Sequence, residues 1–243
     1  VIGSGLLYTS QNSNQSWATS TNTGAANWYS VDVSGNGNHV VATAINALFI
    51  ISHDAGNTWL EPNPTIHNFK NIKISNDGMK LVATKLASDH LYISNDGGAS
   101  FATSSSPKST LWRSVAMNGN GDKILALGIN ENLFLSINGG ETWSELTSAG
   151  ARSWRNAVIS EDGQRMLAIA AGVGHIYYSG DGGTTWNVKT ENLGTKDWRG
   201  VAMSDDGITI FAAASNSFLY KSDNNGGPWT TESDLGERFW NGS

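Results

Sequence analysis

The chain has 243 residues, with 15 Lys and Arg against 21 Asp and Glu for a formal charge of −6, and it contains 28 Gly, 4 Pro, 10 Trp and no Cys. A pI near 5.3 argues against nucleic acid as a partner, because that binding rests on neutralising phosphates. The lack of Cys excludes disulfides and thiolate chemistry and is neutral about compartment, and no run of eighteen apolar residues offers a membrane span.

Read from the N-terminus, the first recognisable feature is a polar turn in which Ser10 stands seven residues ahead of Trp17. The same spacing recurs at Ser52 and Trp59, Ser94 and Phe101, Ser136 and Trp143, Ser179 and Trp186, and Ser222 and Trp229, with successive copies 42 or 43 residues apart. A period this regular means one supersecondary unit copied along the chain, and it overrides any reading made element by element. Between the turns each copy opens on an aromatic and alternates, over residues 28–33, 69–74, 112–117, 154–159 and 198–203. Next come Asn36-Gly37, Asp77-Gly78, Asn120-Gly121, Asp162-Gly163 and Asp206-Gly207, the strongest short-range signal for a hairpin turn. An apolar run follows, such as Leu81-Val82-Ala83-Thr84 or Met166-Leu167-Ala168-Ile169, then a second, such as Leu91-Tyr92-Ile93 or Ile176-Tyr177-Tyr178, which leads into the polar turn.

The turn itself has a physical logic. Its clearest copy, residues 52–59, reads Ser-x-Asp-x-Gly-x-Thr-Trp; residues 179–186 match it fully, and 94–101 keep Asp96 and Gly98. Asn138 and Asn224 replace the Asp in two copies, and the copy at Ser10 has drifted furthest. A short Asp or Asn side chain accepts backbone hydrogen bonds that close the turn, and Gly supplies the positive φ that other residues resist. The Trp then begins the next strand and buries its ring.

Four short antiparallel strands per copy, without helical periodicity, predict an all-β fold: a six-bladed β-propeller occupying residues 1–243 as a single domain, with the turn between the third and fourth strands of each blade. Residues 240–243 repeat the opening pattern of a first strand, so the ring is expected to close by a C-terminal strand completing the blade begun at Val1. The interval from Trp240 round to Trp28 is shorter than the others, which predicts a curtailed closing blade or a chain trimmed from a longer one.

The six turns resemble those of the Asp-box, or bacterial neuraminidase repeat, propellers, a family that includes sialidases, sortilin-type receptors, xyloglucanases and the photosystem II assembly factor of plants and cyanobacteria. That resemblance spans the whole chain and implies blade architecture, with the boxes structural and on the face opposite a sialidase active site. It does not imply an activity. The sialidases of the family use three arginines, a Tyr-Glu pair and an Asp. Here no Arg-Ile-Pro segment occurs, the first Arg is Arg113, and Tyr8, Tyr92, Tyr177, Tyr178 and Tyr220 sit at repeated strand positions suited to packing. Other glycosidases need paired carboxylates, yet Asp54, Asp96 and Asp181 fall in the polar turns and Asp77, Asp162 and Asp206 in hairpins.

The remaining pattern is basic. Directly after the opening aromatics come Tyr29, Lys70, Arg113, Arg155, Arg199 and Asn241, and two residues before them come Ala26, His67, Thr110, Arg152, Lys196 and Arg238. Seven of the 15 Lys and Arg fall in these two columns. Up-and-down topology places the first-strand entries on one face and both kinds of Gly turn on the other. Lys70, Arg113, Arg152, Arg155, Lys196, Arg199 and Arg238, with Trp112, Trp154 and Trp198 beside them, therefore form the candidate ligand-binding set. Glu131, Glu191, Asp197, Asp234 and Glu237 fall near the same face and blunt its charge.

The competing reading is packing, each Trp filling a seam and each Arg stacking on a ring while its head reaches water. No catalytic residue, metal site or cofactor is predicted: His39, His53, His67, His90 and His175 share no metal-ligand spacing, and the Gly turns precede no helix that could cradle phosphate. The expected function is a non-catalytic, lectin-like module for a glycan or an acidic protein surface. The alternatives are a glycoside hydrolase with a remodelled site and a structural or assembly subunit. The Ser-, Thr-, Asn- and Gly-rich composition points to an extracellular or secreted protein.

Overall fold

A computed structural model describes residues 3–10, 16–20, 22–45, 49–62, 68–85, 88, 90–105, 111–190 and 192–238. The chain divides into two compact units, Val1–Ser104 and Ser105–Ser243, and each is built of antiparallel sheets.

In the first unit, blade 1 comprises Ala26–Val33, Val40–Ala44 and Phe49–Ser52, with Gly3–Gly5 laid against the entry of its first strand. A single bridge from Ile51 to Leu60 marks its outer edge. Blade 2 comprises Phe69–Ile74, Leu81–Lys85, Leu91–Ser94 and Ala102–Thr103. Tyr8–Thr9 and Ala18–Thr19 pair as a separate two-stranded sheet.

The second unit holds three blades. Blade 3 is Trp112–Met117, Ile124–Gly128, Leu133–Ser136 and Ser144–Leu146. Blade 4 is Trp154–Ile159, Met166–Ala170, Ile176–Ser179 and Asn187–Val188. Blade 5 is Lys196–Met203, Ile210–Ala214, Leu219–Ser222 and Thr230–Thr231, with Val173–Gly174 added at its entry.

The architecture is an all-β propeller type, but five blades are present among the described residues, and the expectation of six is corrected. A polar turn marks only the third and fourth strands of a copy. The copy at Ser10 has those two, Tyr8–Thr9 and Ala18–Thr19, while Gly3–Gly5 is committed to blade 1. The closing strand expected at residues 240–243 lies outside the described residues.

Both faces of the second strands of blades 1 to 4 are buried, which explains the continuous apolar runs, while in blade 5 buried and half-buried residues alternate. Successive side chains of a strand point to opposite faces. Met166 and Ala168 accordingly join a core with Leu125, Leu127, Leu133 and Trp154 of blades 3 and 4, while Leu167 and Ile169 join Ile210, Ala212 and Trp198 of blades 4 and 5. In the first unit Val41, Phe49 and Ile51 of blade 1 pack with Phe69, Ile72, Leu81 and Ala83 of blade 2. The hydrophobic core therefore lies in the seams between blades.

The two kinds of turn meet at one end of each blade, as up-and-down topology demands. The amide of Ala55 donates to the carbonyl of Asn38, Gly97 to Met79, Gly139 to Asp122, Gly182 to Gln164 and Asn225 to Ile208, each joining the polar turn to the hairpin of its own blade. First-strand entries lie at the other end.

Candidate functional site

The first-strand entry carries the same irregularity in all five blades. Pairing with the second strand shifts register between Trp28 and Ser30, Phe69 and Asn71, Trp112 and Ser114, Trp154 and Asn156, and Trp198 and Gly200. The skipped residue is Tyr29, Lys70, Arg113, Arg155 or Arg199, so each member of this basic column is the extra residue of a β-bulge. A bulge bends the strand and re-aims a side chain, which lets a charge stand beside a seam of buried rings.

In the second unit the bulges gather charge around one carboxylate. Asp197 accepts a short hydrogen bond from Arg199 Nη2 and lies 4.0 Å from Arg155 Nη2. The side chains are 19% exposed for Arg155, 24% for Arg199 and 27% for Asp197, so the group is partly desolvated yet open to solvent. Arg113, one blade earlier, occupies the equivalent bulge and is half-buried. In the first unit Lys70 Nζ stands 6.0 Å from the centre of the Tyr29 ring.

The second basic column has a different role. Arg152 lies 4.5 Å from the centre of the Tyr177 ring and Lys196 5.3 Å from that of Tyr220. Arg152 and Arg238 donate their Nε–H to the carbonyls of Ala149 and Leu235, closing the 3-10 turns Thr147–Ala149 and Ser233–Leu235. These cations cover third-strand tyrosines and cap loops. The corresponding position at His67 lies outside the described residues.

Trp112, Trp154 and Trp198 are sealed, at 3%, 0% and 0% exposure. Each ring meets a third-strand aromatic edge-on: Phe134 at 5.5 Å, Tyr177 at 5.2 Å and Tyr220 at 5.5 Å. The indole N–H of Trp154 donates to the carbonyl of Glu131 and that of Trp198 to Gly174, each in the preceding blade; Trp28 does the same to Gly5. The tryptophan faces belong to the seams, while Arg152 and Arg238 are exposed and Arg113, Arg155 and Arg199 are half-buried.

At the opposite end, the polar turns hold their acids firmly ionised. In blade 1 Ser52 Oγ donates to Asp54 Oδ1 and accepts the amide of Gly56, while Asp54 accepts the amide and the hydroxyl of Thr58. These bonds, led by the Thr58 hydroxyl, pull the Asp54 carboxyl down to about 2. Asp96 and Asp181 are lowered chiefly by Ser100 and Thr185, and Asp77, Asp162 and Asp206 of the hairpins by Ser75, Ser160 and Ser204. Carboxyls held this way suit turn closure and cannot serve as proton donors near neutral pH. Sequence reading missed one feature at this end: His39 and His53 meet across the two turns of blade 1, with Nδ1 atoms 2.8 Å apart. The five-residue and one-residue offsets of these histidines from Ser34 and Ser52 were the available signal.

The antiparallel four-stranded blades define a β-propeller. Among solved structures the chain is similar to YCF48 bound to a D1 peptide, at 16% identity and a TM-score of 0.70 over 95% of this chain and 75% of that one. It is also similar to the GH74 xyloglucanase from Xanthomonas campestris, at 14% identity and a TM-score of 0.74 over 97% of this chain and 44% of that one. An ancestral GH74 enzyme matches at 20% identity and 0.71 over 92% and 35%. The chain thus spans less than half the length of these two GH74 proteins. Against protein-family models and curated proteins the sequence finds no match.

Proposed function

We propose that this chain is a non-catalytic binding propeller whose Asp-box turns are structural and whose Arg113, Arg155 and Arg199 dock an anionic partner, an acidic peptide ahead of an acidic sugar. The observation that carries the reading is the recurrence of one β-bulge in three consecutive blades, each with an arginine as its extra residue, with Asp197 bracketed by two of them. Guanidinium forks match carboxylates bidentately, which favours Arg here over Lys. A local positive field on a protein of net charge −6 steers an acidic ligand to one end. The likeness to a propeller solved with a bound peptide supports a protein partner; the likeness to xyloglucanases keeps carbohydrate in the test.

The test is the triple variant Arg113→Gln, Arg155→Gln, Arg199→Gln, assayed against acidic peptides and against a glycan array. Binding of the acidic peptides should be lost beyond what any shift of the melting curve explains, since Arg155 and Arg199 are only 19% and 24% exposed and their removal also strands Asp197. Wild-type affinity should fall as salt shortens the screening length. A destabilised triple variant that still binds would overturn the proposal, and retention confined to neutral glycans would move the site elsewhere.

A further inference from the structure

We propose that His39 and His53 form a two-imidazole site for a divalent transition-metal ion of the nickel or copper kind, at the turn end of blade 1. The site is independent of the basic end, since turns and first-strand entries occupy opposite ends of the blade.

Blade topology brings these two positions together in every copy. His39 is the residue five after Ser34 in the hairpin, and His53 follows Ser52 in the polar turn; the amide of Ala55 bonding to the carbonyl of Asn38 pins one turn against the other. The equivalent pair in blade 5, Thr209 and Asp223, also touches, with Thr209 Oγ1 3.1 Å from Asp223 Oδ1. In the other blades the pairs are Lys80 and Asn95, Lys123 and Ile137, and Arg165 and Gly180. Blade 1 therefore places an imidazole at both members of a position pair that the fold holds in contact.

The two Nδ1 atoms share a hydrogen bond, and the same spacing fits a metal that takes the place of the shared proton. The rings stand nearly perpendicular, at 79°, with centroids 5.1 Å apart and Nδ1 atoms 2.8 Å apart. With metal–nitrogen bonds of about 2.0–2.1 Å, two cis ligands at a right angle lie about 2.9 Å apart and two tetrahedral ligands about 3.3 Å apart. The observed separation matches the right angle, the geometry of tetragonal and octahedral Ni(II) and Cu(II), and imidazole suits both ions. The arrangement is partly pre-organised: His39 is half-buried, and its ring lies so close over Gly78 of blade 2 that no Cβ would fit there. His53 is exposed, which leaves the metal an open approach.

The surroundings are anionic. Asp54 follows His53 in sequence, and Asp77 of the blade 2 hairpin precedes Gly78, against which the His39 ring lies. Among the described residues no group of three or more His, Asp or Glu side chains converges as a metal site, so water would complete the coordination. Such a site binds less tightly than a four-ligand structural one and ties the hairpin to the polar turn, with stabilisation following ligand concentration.

The experiment is titration of the untagged full chain with NiCl2 at neutral pH, followed by calorimetry and by melting temperature. One Ni(II) per chain should bind, and the melting temperature should rise with metal. His53→Ala, a surface change, and His39→Asn should each lose that heat and that rise, while His90→Ala and His175→Ala keep both. Zn(II) should bind several-fold more weakly than Ni(II). Absence of heat and of any melting shift at millimolar Ni(II), or equal binding by wild type and His53→Ala, would overturn the proposal and leave the pair a hydrogen bond between two imidazoles.

Discussion

Trp154 of blade 4 donates its indole N–H to the backbone carbonyl of Glu131 in blade 3 at 2.9 Å. The same bond links Trp198 to Gly174 and Trp28 to Gly5, so the opening aromatic of a copy is a latch on the copy before it. Its ring fills the seam while its nitrogen satisfies a carbonyl of the loop between the second and third strands. This dual use explains why Trp recurs at the position, since Phe would fill less of the seam and give up the bond across it, leaving the Glu131 carbonyl with the amide of Arg152 alone.

Trp154→Phe tests the latch. The ring is fully buried, so the smaller side chain leaves a void and removes one of the two hydrogen bonds to the Glu131 carbonyl, which keeps the amide of Arg152, together costing about 1–3 kcal/mol. Urea denaturation of the variant should show a lower midpoint with an unchanged slope. Equal stability would mean that the bond is replaced by water at no cost.

Acid sensitivity should be traceable to the polar turns. Asp54 has a folded-state pKa of about 2 against an ordinary 3.8, and Asp96 and Asp181 are lowered too, through hydrogen bonds to hydroxyls and amides. A lowered folded pKa means that unfolding takes up protons: the contribution is complete above about pH 4 and is lost as pH falls towards 2. Blade 3 already contains the uncharged alternative. Asn138 Oδ1 accepts the Ser136 hydroxyl and the Thr142 amide, and Nδ2 donates to Thr142 Oγ1. The triple variant Asp54→Asn, Asp96→Asn, Asp181→Asn should therefore stay folded at pH 7 and show a shallower decline in melting temperature between pH 4 and pH 2. A decline as steep as that of wild type would remove these carboxylates as its cause.

Two polar turns place a non-glycine residue in the left-handed region, Ala55 in blade 1 and Asn225, at φ +52°, in blade 5, and Asn tolerates it better than Ala. The position before the turn glycine has φ +59° at Ala55, while Gly97, Gly139 and Gly182 fill it in blades 2 to 4, at +67°, +69° and +70°. A left-handed conformation costs an L-residue roughly 1–2 kcal/mol, partly offset by the greater unfolded-state entropy of Gly. Ala55→Gly should stabilise the chain by about 0.5–1 kcal/mol, read as a small rise in melting temperature. A fall would show that the Ala55 methyl makes a contact worth more than the strain.

Blade architecture was legible because the signals are local and repeated. Asn36-Gly37 and its counterparts demand positive φ at the glycine, and each does adopt it, at +65° to +76°. The Ser-x-Asp turns close through bonds among residues at most four apart. Ser222 shows the limit of that locality: with Pro228 in place of Thr, Trp229 sends its indole N–H to Lys189 of the neighbouring blade, whereas Trp59, Trp143 and Trp186 bond within their own turns to Gly56, Gly140 and Gly183. The blade count was misjudged for a related reason. A turn reports the two strands it joins and carries no information about the two inner strands, which at Ser10 are not among those described.

The sequence by itself determined the repeat, the strand order within a blade, the turn chemistry and the two columns of cations, since all of these depend on residues near one another in the chain. Tertiary structure decided what each column does. Arg152 and Lys196 lie over tyrosines, while Arg155 and Arg199 share Asp197, although both columns read alike as basic residues beside a Trp. The division arises because the register shift falls on one column alone, and a bulge is a property of two paired strands. The same holds for His39 and His53: fourteen residues apart, they meet because antiparallel pairing returns the chain to the same end of the blade, where two turns must pack side by side.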